Sequence, residues 1–480
     1  MVNHAGHDGT NRPVNDDTIS SAQTSEAVSP NLGSIYGLTP KVEAAFHEAF
    51  SQQEWQRVRM LLDPLHPADK ADLFERMGMK ECVALIQHLG DDLDPEILPY
   101  LNDDVREEII DNLGPHIVAQ SVTELDSDDA VTLAEDLDPD ELDDLLAALP
   151  VQDREVVEQG LSYPDDSAGR MMQREMVVVP PFWTVGQTID HLRSFEPERT
   201  EFYLIMVTDV NGHPVGEIRL DRLLCSARPR RISEIMETDL RSIPVLMDQE
   251  EIALLFRRYG MVTTGVIDEE GRLVGIITLD DIIDVIDEEA EEDLMALAGV
   301  SDGSIRTSII ETLRARSAWL MLNLMTAVLA SLVIGMFEET IEKVVALAVL
   351  MPIVASMGGN AGTQTVTVAV RAIAMREFSP KTAITFGIRE LFVGILNGLV
   401  FAVITAVLSY IWFRQLDVSL ILGFAMLINL VVAGISGTLV PLILLRTGVD
   451  PAVASSVFIT TITDVIGFFV FLGLAALLLI

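Results

Sequence analysis

The last third of the chain leaves little choice of environment. Residues 317–480 run through five long apolar segments, at about 318–337, 341–372, 383–413, 419–445 and 452–480. Helices of roughly 20 apolar residues cross a hydrocarbon core of about 30 Å. In lipid, only helices and closed barrels satisfy their own backbone. The final run, Ala452–Ile480, has 29 residues, or about 43 Å of helix. Its one ionisable group is Asp464, about 18 Å along that axis and so near mid-membrane. A carboxylate at that depth costs about 3 kcal/mol even on a lenient insertion scale. Asp464 is therefore expected to face a wet path and handle a cation. The alternative is a structural Asp paired with Asn429, Thr461 or Thr463 inside a packed bundle.

Charge divides the 480 residues sharply. From residue 311 onward nine acidic and nine basic residues cancel, so residues 1–310 carry 64 acidic and 23 basic residues and the whole net charge of −41. A membrane domain is thus joined to a strongly acidic soluble region, a field that repels nucleic acid and attracts cations. Only five of the 32 basic residues are Lys while Asp abounds, so adaptation to high salt is a rival source of the bias. Cys82 and Cys225 lie far apart, against a disulfide framework and for a reducing compartment. No signal peptide is recognisable, and the polar residues 1–38 are expected to be a disordered tail.

Residues 39–162 read as a solenoid-like domain of short helices. Apolar residues recur at three and four spacing, punctuated by Leu93-Asp94-Pro95, Leu125-Asp126-Ser127 and Leu137-Asp138-Pro139. Asp or Ser caps free amides at a helix start, and Pro suits the first turn. An internal duplication follows. Met172 and Pro180 recur as Met236 and Pro244, 64 residues on, and Asp209–Gly216 recurs as Asp268–Gly275, 59 residues on. Each copy, 163–228 and 229–286, reads strand, helix, strand, Gly turn, strand, helix. The pair resembles tandem CBS modules, α/β units that bind adenine nucleotides or ions. Gly275-Ile-Ile-Thr278-Leu-Asp-Asp281 is similar to the ribose-binding string of those modules, which implies one nucleotide site, for ATP or another adenine nucleotide, at Thr278 and Asp281. The first copy lacks both residues, having Arg219 and Arg222 instead. A capped helix start gives much the same string.

After that string the chain runs Asp281, Asp284, Asp287, Glu288, Glu289, Glu291, Glu292, Asp293. Asp281, Asp284, Glu288 and Glu291 fall on neighbouring turns, where like charges cost a few tenths of a kcal/mol each. Oxygen-loving divalent cations relieve such repulsion, so bound ions are expected to draw the acidic domains together; a plainly solvated face is the alternative. Residues 287–316 are expected to be an acidic connecting segment, with a second helix over 294–316. Arg314, Arg316, Arg371, Arg376, Lys381 and Arg446 fall on one side of the spans, and Lys343 and Arg414 on the other. The positive-inside rule then puts the amino terminus in the cytoplasm and the carboxyl terminus outside.

The second span holds Pro352 and Gly358-Gly359-Asn360-Ala-Gly362. A break there, lined by freed carbonyls and Asn360, suits a hard cation; close packing through small residues is the other use of such glycines. That string, Thr463-Asp464-Val-Ile-Gly467, Tyr163-Pro164-x-x-x-Ala168-Gly169 before the repeats, and the five spans together resemble the MgtE-type magnesium transporters over residues from about 40 to 480. The resemblance implies a homodimeric, Mg²⁺-gated channel of the inner or plasma membrane. Asp464 would be its pore carboxylate, with Gly358, Gly359 and Asn360 beside it. It places regulatory ions at Asp248, Glu250, Asp281, Asp284, Glu289, Glu292, Asp293 and Asp128. Ser456 and Thr460 stand where that family has Asn and a small apolar residue, which bears on the choice among Mg²⁺, Mn²⁺ and Co²⁺. Gly260 stands where a sensor carboxylate is expected. One Asp balances half of a double charge, so two chains about an axis fit a divalent ion better than one. A proton- or sodium-coupled transporter and a membrane-bound nucleotide sensor are the rivals. An enzyme is not expected, since no nucleophile–base set, phosphate loop or hydrolytic metal spacing occurs.

Overall fold

The computed structural model describes residues 38–194, 202–300 and 309–479; the expected tail lies outside them except for Leu38. Proline and capping residues set the starts of the amino-terminal helices. Helices α1 to α4 are Pro40–Ser51, Trp55–Leu62, Pro67–Arg76 and Met79–Leu89; α5 to α9 are Asp103–Asn112, Pro115–Glu124, Ser127–Glu135, Pro139–Ala148 and Val151–Leu161. Pro opens α1, α3, α6 and α8, where a missing N–H costs nothing. The chain divides at Cys82 into two compact units. The first is built on Phe46, Val58, Leu73 and Phe74, all buried, and Arg76 pairs with Glu43 at 3.4 Å. In the second, α6 packs on α7 and α8, and α7 on α9, the stacking of a short solenoid.

The duplication is plain in the topology. Strands β1 (Val178–Val179), β2 (Leu204–Thr208) and β3 (Pro214–Arg219) form one sheet in that order, and β4 (Ile243–Pro244), β5 (Thr263–Ile267) and β6 (Leu273–Thr278) form another. In each the first pairing is parallel and the second antiparallel, and the register slips at matching places, Val207/Thr208 and Val266/Ile267. Helices α10 (Val185–Leu192), α11 (Leu220–Leu224) and α12 (Gln249–Tyr259) accompany the sheets. The leading segments are exchanged. A Cβ at Gly275 would lie 2.8 Å from Met172 Sδ, and one at Gly216 would lie 2.7 Å from Met236 Sδ. Each Met thus packs on the other copy's sheet, so divisions drawn along the sequence at 163 and 229 cut across the packing units.

Helix α13, Leu279–Ala298, is one unbroken element of 20 residues. The expected division at 286/287 falls inside it, and no second helix begins at 294. Its buried residues run from Ile282 and Val285 to Ala296, and it stops at Gly299, whose φ of 70° is left-handed. Arg314 and Arg316 belong instead to α14 (Ile309–Gly335), the first membrane helix. Then come the short α15 (Glu338–Lys343) and the long α16 (Ala346–Ala374), α17 (Pro380–Phe413), α18 (Leu416–Thr447) and α19 (Pro451–Leu479). Five of the described helices, α14 and α16 to α19, are long and apolar enough to cross a membrane. Helix α18 lies at the centre, against α16, α17 and α19.

One expectation fails here. Helix α16 is continuous through Pro352, Gly358, Gly359 and Asn360, so no run of carbonyls is released. The glycines serve close packing instead. A Cβ at Gly358 would lie 2.3 Å from Asn429 Nδ2, and one at Gly362 would lie 2.3 Å from Ile459 Cγ2.

Candidate cation path and regulatory cavities

Ser456, Thr460 and Asp464 follow at one-turn intervals on α19. Thr460 is exposed on the single chain and the other two are half-buried. Thr460 Cγ2 stands 3.9 Å from where a Gly359 Cβ would be. Asn360 is exposed on α16, its Nδ2 donating to Ser356 Oγ at 3.4 Å. Among the described residues, Asp464 has no hydrogen bond or ion pair. Its suggested structural partners are engaged elsewhere: Thr461 Oγ1 donates to the Val457 carbonyl, Thr463 Oγ1 to that of Ile459, and Asn429 Nδ2 to that of Val354. The packed-pair alternative therefore does not occur. A second acid in the spans, Glu390 on α17, was readable from the same signal but passed over. It is buried and accepts from Thr365 Oγ1 of α16 at 3.2 Å.

The carboxylates outside the membrane helices line two cavities at the two ends of α13. The first, about 580 Å³, lies between α7 and the start of α13 and is lined by Asp128, Asp129, Asp281, Asp284, Glu288 and Glu291, among others. Asp128 is 7% exposed and its Oδ1 has no partner. Burial, then Asp281 and Asp129, pushes it well above the ordinary carboxylate range. Burial likewise raises Asp129 to about 7, with Asp281 and Asp126 adding to it and Arg106 opposing. Asp281 is pushed up to about 6 by burial, against a hydrogen bond from Thr278. Thr278 Oγ1 donates to Asp281 Oδ2 at 2.6 Å, and the pair caps α13. The two candidate nucleotide residues therefore already form the cap that their string also suggests.

The second cavity, about 740 Å³, lies between α12, α13 and the ends of α16, α18 and α19. Glu250, Glu289, Glu292 and Asp293 line it, with Arg257 and Arg376 on its rim. Asp450, missed in the sequence, joins them; Asp-Pro at 450–451 reads as a helix cap, and Asp450 Oδ1 does accept from Ala452 N at 2.8 Å. Burial raises Asp293, with Asp450 and Glu292 next, and raises Glu250, with Asp248 and Asp293 next. Glu289 is raised by burial against a 3.0 Å bond from Gln249. Asp248 caps α12, accepting from Glu250 N at 3.0 Å, and is not among the residues lining either cavity. Gly260 has φ 62° and ends α12, a backbone demand that explains why no carboxylate stands there.

Among the described residues, no three acidic, His or Cys side chains converge into a ready ion cage. Several carboxylates line each cavity without closing on a common point, which leaves room for a hard ion that keeps part of its water. Asp128 Oδ1 is thus a buried acceptor without a partner among acids that raise one another.

The chain is 31% identical over 445 residues to the magnesium transporter MgtE of Thermus thermophilus, an overlap of 92% of this chain and 99% of that one. The chain belongs to the MgtE family. The magnesium transporter MgtE of Bacillus subtilis is 31% identical over 418 residues, 87% of this chain and 93% of its own. Three family profiles match in order: the MgtE intracellular N domain over residues 65–166, the CBS domain over 232–288, and the MgtE divalent cation transporter over 351–474. The solved cytosolic domain of the Mg²⁺ channel MgtE in complex with ATP is 30% identical, with a TM-score of 0.48 over 51% of this chain and 99% of that one. Asp464 and the Gly358–Asn360 stretch fall inside the MgtE transporter match, and Thr278 and Asp281 inside the CBS match.

Proposed function

We propose that this chain forms a homodimeric, divalent-cation channel for Mg²⁺, closed from the cytosol when Mg²⁺ fills its two acidic cavities. The observation that carries this reading is the reach of α13. Its first turns line the α7 cavity and its later turns the membrane-side cavity. Its last turn, Ala296 and Leu297, packs with Val366 and Val370 of α16 and Ala452 and Ile459 of α19. One helix thus connects both acid clusters to the two helices that carry Asn360 and Asp464. In the cavities, Asp128, Asp281 and Asp284 at one end and Glu250, Glu289, Glu292 and Asp293 at the other would hold the ion, which supplies the positive charge their repulsion lacks.

Dimerisation is supported by the polar stripe of Ser456, Thr460, Asp464 and Asn360. On a single chain it lies partly open at a depth where lipid cannot solvate it. A second copy across an axis covers it and supplies the second carboxylate that a divalent ion needs. The amino terminus is assigned to the cytoplasm by the distribution of Arg and Lys. Adenine nucleotide is proposed as a further ligand at Thr278 and Asp281, which open α13 itself.

Flux into liposomes tests the path: Asp464→Ala is expected to abolish Mg²⁺ uptake, and unchanged uptake would overturn the pore assignment. Asp281→Asn, Asp284→Asn and Glu292→Gln together test the gate, because closure should then require more internal Mg²⁺. An unchanged inhibition curve would leave the acids as salt adaptation. The half-buried, unpaired Asp464 also suits a proton-coupled cycle, which would make uptake depend on a proton or sodium gradient.

A further inference from the structure

A buried amide in the membrane domain has no part in the ion path as described, yet two helices are shaped around it. Asn429 of α18 is 0% exposed. Its Nδ2 donates to the Val354 carbonyl of α16 at 2.8 Å, and its Oδ1 is buried without a partner. Glycines flank it on both neighbouring helices. A Cβ at Gly358 of α16 would lie 2.3 Å from Asn429 Nδ2, and one at Gly467 of α19 would have three Asn429 atoms as its nearest neighbours, at 2.9–3.1 Å. Thr463 of α19 closes the group, its Cβ 3.0 Å from the Gly358 Cβ position.

We propose that Asn429 is a positioning residue for the cation path: its amide fixes the register of α16 against α19, and so holds Asp464 and Asn360 at the separation that sets ion preference. The inference rests on the reading of Asp464 as the pore carboxylate. Simple filling of space does not account for the residue. Leucine has the same branched outline, would fill the gap between the glycines, and would leave no buried acceptor unpaired, a cost that an apolar side chain avoids. What leucine cannot do is donate to Val354. That bond ties α18 to α16 four residues before Gly358, and the close contact with Gly467 ties α18 to α19 one turn past Asp464. Groups behind an ion ligand that fix its orientation change affinity about 10- to 100-fold when removed.

The test is flux by the purified full-length chain in liposomes, read as half-saturating Mg²⁺ and as the ratio of Mg²⁺ to Co²⁺ uptake, beside thermal melting in detergent. Asn429→Leu is expected to melt no lower than the native chain, yet to raise half-saturation about tenfold and shift the ratio. Loss of maximal rate alone, with both readouts native, would overturn the proposal, because it reports only fewer folded channels. If Asn429→Leu does not fold, Asn429→Ala with Gly467→Ala refills the space by another route. Native half-saturation and ion ratio in that pair would equally overturn it. Asp464→Asn is the control: full flux there removes the pore reading itself, whereas lost flux there with native Asn429→Leu behaviour removes only the positioning role.

Discussion

Asp128 enters the folded state with one carboxylate oxygen unpaired at 7% exposure, among acids that raise one another. Asp128→Asn keeps the shape and removes the charge. In metal-free protein it should stabilise the region by about 1–2 kcal/mol, seen as a higher melting midpoint in EDTA, while the extra stabilisation given by Mg²⁺ shrinks. A lower metal-free midpoint would show that the carboxylate is not a liability. The neighbouring acids predict a pH dependence. Asp129 is raised to about 7 and Asp281 to about 6, with Asp126, Asp280 and Asp284 opposing ionisation, and Arg106 and the Thr278 bond favouring it. Raised carboxylates hold protons that the unfolded chain has released. Their contribution is complete below the ordinary aspartate range near pH 4 and is lost as pH climbs through about 6 to 7. In EDTA, limited proteolysis of the whole chain should therefore be slower at pH 5.5 than at pH 7.5. The Mg²⁺ midpoint for protection should rise at the lower pH, since protons and Mg²⁺ compete for the same oxygens.

At the scale of elements, α12 meets the chain just past α16 through an ion pair at the edge of the second acid cavity. Glu251 Oε1 lies 2.8 Å from Arg376 Nη1, and Arg257 Nη2 donates to Met375 Sδ at 3.0 Å, just past the end of α16. Arg376 holds a left-handed φ of 50° there. The pair is partly exposed, and such pairs contribute about 0–1 kcal/mol, so Glu251→Arg or Arg376→Glu alone should move the Mg²⁺ inhibition midpoint by less than about tenfold. The double exchange should return it, and a double mutant no nearer native than either single would show that the contact carries no coupling. This contact also marks what was legible in the chain. Hydropathy is local, so the five spans, the acidic helix and the repeat could be read directly. The continuity of α16 could not, because Pro352 and three glycines signal a break unless Asn429, Ile459 and Thr463 are known to occupy the space beside them. Asp464 was readable as a lone charge, whereas Asp450 was hidden by its second role as a cap. The exchange of Met172 and Met236 between copies was also out of reach, since the two copies read alike in either arrangement.

For the whole molecule, the question is whether 64 acids in the first 310 residues answer to divalent ions or to salt in general. The two causes separate by valence. Screening by monovalent salt acts through the Debye length, about 8 Å at 0.15 M, and softens every repulsion alike. A divalent ion shared between carboxylates acts only where several of them line one cavity, as they do at both ends of α13. At fixed ionic strength, exchanging NaCl for MgCl₂ should then reduce the radius of gyration of the detergent-solubilised chain and shield α13 from protease, with a midpoint in the millimolar range typical of weak oxygen sites. The triple variant Asp281→Asn, Asp284→Asn and Glu292→Gln removes two carboxylates at one end and one at the other, but only three of the 64 acids. Salt adaptation predicts that it behaves as the native chain and that NaCl alone, raised far enough, gives the same contraction. Gating through α13 predicts that the variant needs several-fold more Mg²⁺ and that no concentration of NaCl substitutes. If NaCl alone contracts both proteins equally, the acids serve solubility, and α13 carries no ion signal to α16 and α19.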